Sequence, residues 1–101
     1  MNTQLERDYQ HHVITKLKTL YPDCMVLKND PNYIQGIPDL LFLKDKSWVA
    51  LEVKRSVKAP SRPNQEYYIA KMNKMSCAAK IYPENEDEVF RGIDKFLRKE
   101  K

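Results

Sequence analysis

Long apolar runs are missing from this chain. No stretch approaches the roughly 20 consecutive apolar residues that a bilayer span needs, which excludes a transmembrane reading. The N-terminal run MNTQLERDYQHH carries no hydrophobic stretch of signal-peptide type, which argues against secretion and for a cytoplasmic protein. Cysteine is scarce. Cys24 and Cys77 stand far apart in neither a zinc nor a redox spacing, so two reduced thiols are expected rather than a disulfide framework. Histidine is confined to His11 and His12, read as surface residues of a first helix. Repeats and low-complexity segments are absent too.

What is present is a globular balance, with 42% hydrophobic and 32% charged residues. A chain of 101 residues suits one domain, 1–101, with a single core. The net charge is +4, but its distribution says more. Between residues 54 and 80 stand Lys54, Arg55, Lys58, Arg62, Lys71, Lys74 and Lys80, against Glu66 alone. Such a patch attracts polyanions, of which nucleic acid is the commonest. An ordinary solvated basic face has the same composition, so charge alone does not decide.

Hydrophobic periodicity sets the elements. Leu5, Tyr9, Val13, Leu17 and Leu20 recur at helical spacing over residues 3–21, and Pro22 stops the run. TQLE at its start fits a capping box, with Thr3 as cap and Glu6 reaching back. MVLKN is a short strand, DPNYIQG a loop, and DLLFL and WVALEVK are strands around the polar turn KDKS. VKAPSRP reads as a basic loop, NQEYYIAKMNKM as a helix from about residue 64 to 75, and CAAKIY as a last strand closed by Pro83. A final helix is expected with Asn85 as cap, acids in its first turn, LRKEK in its last, and Val89, Phe90, Ile93 and Leu97 as its stripe. Gly92 is a weak point inside it. The order is α-β-β-β-α-β-α, an α/β sandwich.

The hairpin raises the chemical question. An even loop centred on Asp45-Lys46 pairs Leu43 with Trp48, Leu41 with Ala50 and Asp39 with Glu52. One face then carries Leu40, Phe42, Val49, Leu51 and Val53, all apolar. The other carries Asp39, Leu41, Leu43, Trp48, Ala50, Glu52 and Lys54. An odd loop would slip the register by one and destroy this segregation. The even register sets two carboxylates opposite each other with Cβ atoms roughly 5 Å apart, which is destabilising unless a proton or cation intervenes. A divalent metal resolves the conflict, since Mg²⁺ takes carboxylate oxygens together with waters and substrate phosphate. Lys54 then reaches the attacking water or the scissile phosphate.

Each residue also has a plainer explanation. Asp39 after Pro38 fits a turn, Glu52 and Lys54 fit exposed cross-strand charges, Glu6 fits its capping box, and Gln65 fits a first helical turn. The joint arrangement is less easily dismissed: G-x-P-D, twelve residues, then E-x-K at the end of the neighbouring strand.

That pattern, PD at 38–39 and EVK at 52–54, resembles the PD-(D/E)xK nuclease superfamily. It looks closest to its stand-alone VRR-NUC domains of phages and bacteria. Glu6 in the first helix, GIPDLLFL before the hairpin, ALEVKRS after it and Gln65 opening the next helix carry the likeness over about residues 6–82. The resemblance implies a restriction-endonuclease-like αβββαβ core with an additional C-terminal helix. It implies an Mg²⁺- or Mn²⁺-dependent endonuclease of bacterial or phage-infected cytoplasm. Asp39, Glu52 and the main-chain carbonyl of Val53 would bind metal, Lys54 would be the catalytic lysine, Glu6 would complete the acidic site, and Gln65 would orient Lys54 or the substrate. Ser76 departs from the family, which often has glycine there. Arg55, Lys58, Arg62 and Lys71 are the expected DNA-backbone contacts. Branched DNA such as four-way junctions is the expected substrate.

A homodimer is expected as well, because one site cuts one strand and because the stripes of the outer helices (Val13, Leu17, Phe90, Leu97) exceed what a small sheet obviously covers. The alternatives are a nucleic-acid-binding module that does not cut and a pure interaction domain. The first treats the motif as vestigial, and the second leaves the opposed acids unexplained.

Overall fold

The computed structural model describes residues 3–99, with side chains over 5–99. Helix α1 (Thr3–Leu20) is followed by strands β1 (Met25–Lys28), β2 (Leu40–Lys44) and β3 (Ser47–Val53). Helix α2 (Gln65–Met75), strand β4 (Cys77–Ile81) and helix α3 (Glu86–Lys99) complete the chain, with a 3-10 turn at Pro83–Asn85 before α3. The expected element order is observed. The strands form one mixed sheet in the order β1-β2-β3-β4, antiparallel except that β4 runs parallel to β3 after the α2 crossover. No described helix is long and apolar enough to cross a membrane.

The two-residue turn at Asp45-Lys46 fixes the hairpin. Asp45 takes a left-handed φ of 56°, a conformation that Asp tolerates better than bulky residues do. Lys44 then pairs with Ser47, Leu43 with Trp48 and Leu41 with Ala50, the even register that the alternation demanded. Leu40, Phe42, Val49, Leu51 and Val53 are accordingly all fully buried on one face. Helices α1 and α3 cover that face with Val13, Leu17, Phe90, Ile93 and Leu97. Helix α2 packs against β3 and β4.

This packing corrects the expected dimer surface. Val13, Leu17, Phe90 and Leu97 are all at or below 9% exposed, because the two helices lie on one sheet face and spend their stripes there. The large exposed apolar residues are elsewhere, among them Met25, Leu27, Tyr33 and Met75.

Three local features also depart from or refine expectation. Thr3, expected to cap α1, has its side chain outside the described residues. Asn85 does not cap α3 from its Ncap position. Its amide turns back instead, accepting the Tyr82 N–H at 2.9 Å and donating to the Lys80 carbonyl at 3.1 Å, because the 3-10 turn feeds directly into the helix. Ser76 needs no glycine-like conformation, having φ −150°, and its hydroxyl donates to the Trp48 carbonyl at 2.6 Å.

Helix α1 is tied to α3 by charge. Tyr9, His12 and Lys16 share one face of α1, and all three converge on the Glu86 carboxylate at 2.9, 3.0 and 2.7 Å.

Candidate functional site

Asp39 sits one residue before β2, and its position is set from two sides. The Asn29 N–H donates to the Asp39 carbonyl, and the Asn29 side-chain amide donates to the Pro38 carbonyl, both at 2.8 Å. Across the sheet, Asp39 Oδ2 accepts the Val53 N–H at 2.9 Å. The strand ladder ends at Leu40–Leu51, one pair short of the expected Asp39–Glu52 partnership. The two carboxylates still act on each other electrostatically. The amide of Val53, whose carbonyl the resemblance assigns to the ligand set, is thus held by one of the predicted acids.

Glu52, Lys54 and Gln65 are buried together, at 1%, 4% and 2% exposed. Alternation along β3 turns Glu52 toward the α2 side, and Gln65 comes down on it as the first residue of α2. Gln65 bridges the pair. Its Nε2 donates to Glu52 Oε2 while its Oε1 accepts Lys54 Nζ at 2.8 Å. The same Oε1 accepts the Arg62 main-chain N–H at 2.8 Å. Lys54 donates further to the Pro60 carbonyl at 3.0 Å, and Glu52 Oε2 lies 3.6 Å from its nitrogen. A lysine has three donors. Two are bonded inward and the third faces Glu52, so in this structure the side chain expected to reach toward water or phosphate is turned into the protein.

Glycine matters at one point here. Gly36 has φ +92°, and a Cβ there would stand 2.6 Å from the Pro63 carbonyl oxygen and 2.7 Å from Asn64. The loop before Asp39 therefore lies directly against the turn before Gln65. That contact registers the Asp39 side of the site against the α2 side.

Glu6 reaches the cluster from α1. Its Oε2 lies 3.8 Å from Arg62 Nη2, and its charge acts on Asp39. Three of the expected backbone contacts make no ion pair with these acids among the described residues. Arg55 and Lys58 belong to the loop pinned by the Glu84 carboxylate on the Val57 N–H. Lys71 lies over the Tyr67 ring on an exposed face of α2. Arg62 alone among the four enters the acid cluster.

The electrostatics follow from burial. Desolvation, then the neighbouring Asp39 charge, pushes the Glu52 carboxyl up to about 7, against the pull of Lys54 and Arg62. Burial also raises Asp39, with Glu6 adding to the shift, while the Val53 N–H and the charges of Arg62 and Lys54 oppose it. Glu52 Oε1 is the one buried side-chain polar atom without a hydrogen-bond partner among the described residues. Leaving such a group unpaired carries a real desolvation penalty. A cation at that oxygen would remove the penalty and lower both acids. Among the described residues, no three His, Cys, Asp or Glu side chains are gathered as a ready-made metal group. Asp39 and Glu52 are the two acids that act on each other here, while Glu6 lies beside Arg62.

Sequence reasoning missed two of the groups that hold this site. Asn29 looks like a strand end, and nothing in its neighbourhood signals that it fixes Pro38 and Asp39. The Pro60 carbonyl is a main-chain group, and residue identity does not forecast its use. No family model, curated protein or solved structure matches the chain.

Proposed function

We propose that this chain is a metal-dependent endonuclease that hydrolyses DNA phosphodiester bonds, built on a restriction-endonuclease-like αβββαβ core with α3 added. The observation that carries the reading is the buried Glu52, whose Oε1 lacks a partner while Asp39, Lys54 and Gln65 stand around it. A purely structural carboxylate is normally surrounded by donors. A basic binding surface alone gives no reason to bury an acid in this state.

In this reading Asp39 and Glu52 hold Mg²⁺ or Mn²⁺, with the Val53 carbonyl and Glu6 completing the set. The bound ion supplies Lewis acidity toward the phosphate and eases ionisation of a water. Gln65 fixes the rotamers of Glu52 and Lys54 through one amide, so the acid and the ammonium are presented as a unit. Lys54, once released from the Pro60 carbonyl, places its positive charge on the phosphate or the attacking water. Arg55, Lys58 and Lys71 hold the backbone of the DNA outside the site. Neutralising each should lower the salt slope of binding by roughly one unit without changing sequence preference.

The substrate we infer is branched DNA, cut by a homodimer. One chain offers one site, and two-fold pairing supplies a second. Because the outer-helix stripes are buried, pairing must draw on exposed residues such as Met25, Leu27 and Tyr33. The deciding experiment is a panel of labelled four-way junctions, flaps and linear duplexes with Mg²⁺, alongside light scattering. Junctions cut ahead of linear duplex by a particle of about twice 12.0 kDa are expected. DNA binding with no cleavage in any divalent metal would favour the non-cutting module instead. A monomer that cuts linear DNA equally well would remove the dimer and the branched substrate and leave the metal site standing.

A further inference from the structure

Arg62 differs from its neighbours in the basic loop. Arg55 and Lys58 make no side-chain ion pair among the described residues, whereas the Arg62 guanidinium lies 3.8 Å from Glu6. We propose that Arg62 is the acid cluster's resident counter-cation, occupying the electrostatic place of a divalent metal and competing with it. The inference rests on the nuclease reading above and concerns how that site is kept before metal enters.

The main chain of Arg62 is fixed by the site itself. Its N–H donates to Gln65 Oε1, the oxygen that also accepts Lys54, so the side chain starts from the rim of the cluster. The buried pair Asp39 and Glu52 feels the charges of Lys54 and Arg62, while Glu6 lies beside Arg62 and acts on Asp39. Without Arg62 the Lys54 ammonium would be left to face the buried pair, and Glu6 would lose its neighbouring cation. Guanidinium keeps its charge at every pH a protein survives, so it leaves the site only by moving.

The geometry makes movement cheap. A contact of 3.8 Å is longer than a hydrogen bond and is not the bidentate fork that anchors arginine firmly. The side chain is 56% exposed, so water can take up its donors as it swings out. Once displaced, the same charge stands beside the site, where a phosphate would meet it. Metal entry and phosphate capture thus draw on one side chain.

Mn²⁺ titration of the full chain without DNA tests this, by calorimetry and by melting temperature. Arg62→Gln should bind Mn²⁺ about tenfold more tightly than wild type, the scale expected for removing one unit charge several ångströms from a divalent ion in a partly solvated site. Its melting temperature should fall in EDTA and recover with Mn²⁺ by more than wild type gains. Arg62→Lys, which keeps the charge, and Lys58→Gln, outside the cluster, should match wild type in metal affinity. Equal or weaker Mn²⁺ binding by Arg62→Gln, with wild type still binding, overturns the counter-cation alone. No binding by any of the proteins overturns the metal site and this inference together. If Arg62→Gln is unfolded in EDTA, circular dichroism should show that Mn²⁺ restores it, and failure to do so also overturns the proposal.

Discussion

Two carboxylates in this protein meet opposite fates. Glu86, at the start of α3, is 15% exposed and receives hydrogen bonds from Tyr9, His12 and Lys16. Burial alone would raise its pKa, but those donors overcome it and hold the carboxyl at about 2. Glu52 is 1% exposed, has one oxygen with no partner, and is pushed up to about 7. The first is an acid that the fold has satisfied. The second is an acid that the fold has left wanting a proton or a cation. Burial is common to both, so the difference lies in the donors supplied. The protein places three donors on Glu86 and leaves Glu52 Oε1 short, and that contrast is what the site reading rests on.

The comparison breaks first at Glu52. Glu52→Gln, Asp39→Asn and Lys54→Ala should each lower cleavage by on the order of 10³-fold while the fold survives. A nicking assay with circular dichroism measures both, and full activity in any of the three would remove the assignment. Linkage adds a signature that does not need activity. A carboxyl raised in the folded state binds its proton more tightly there, so stability should decline as pH rises from the ordinary glutamate range through about 7. Melting curves in EDTA should show that decline in wild type, and it should be flattened in Glu52→Gln. At pH 8 the variant should melt higher.

Glu86 should behave in the reverse sense. Its depressed pKa contributes stability above the ordinary glutamate range, lost as pH falls toward 2. Glu86→Ala strands three donors and should cost about 2–3 kcal/mol in urea unfolding, within the range for hydrogen bonds to a charged group. Cleavage per folded molecule should stay near wild type. A loss of stability well below that range would mean that the three contacts are incidental, and the contrast with Glu52 would lose its reference.

The legibility of the two regions differs for a physical reason. The hairpin register was readable because period-two alternation admits only one segregated pairing, whereas the burial of Glu52 and Lys54 comes from α2 packing Gln65 onto the other face. Gln65 was readable as a helix-opening polar residue close in sequence to the basic loop. The Glu86 knot joins residues seventy or more positions apart, and charge pairs at that separation leave no local pattern. Asn29 and the Pro60 carbonyl act over only nine and six positions, but both bonds use main-chain carbonyls, whose partners residue identity does not forecast. The dimer stripe was misjudged because counting apolar positions does not say how much sheet two adjacent helices will cover.

Glu6 sharpens the comparison, because it stands between the two cases. A capping role predicts that Glu6→Gln is nearly silent, since glutamine also serves in a capping box. The structure brings its carboxylate to Arg62 and within the field of Asp39. We therefore expect Glu6→Gln to lower cleavage about tenfold, with stability changed by less than about 0.5 kcal/mol, the range of an ordinary surface substitution. Cleavage kinetics and a urea curve on one preparation separate these outcomes. Unchanged cleavage would return Glu6 to the helix cap.

The smallest effect is expected within α3, at the rim of the groove between that helix and the sheet. Gly92 is exposed, its φ is not in the left-handed region, and a Cβ added there meets nothing within 4 Å. Glycine in a helix interior loses roughly 0.8–1 kcal/mol relative to alanine, so Gly92→Ala should raise stability by up to about that amount. The site lies across the sheet from α3, so cleavage and Mn²⁺ affinity should not move. Combined with Glu86→Ala, the gain should add to the loss, because the two positions lie on different turns of α3 and act through different effects, backbone entropy and donor satisfaction. Gly92→Ala that destabilises would show that this helix face is needed bare, and the backbone term assigned to it would be wrong.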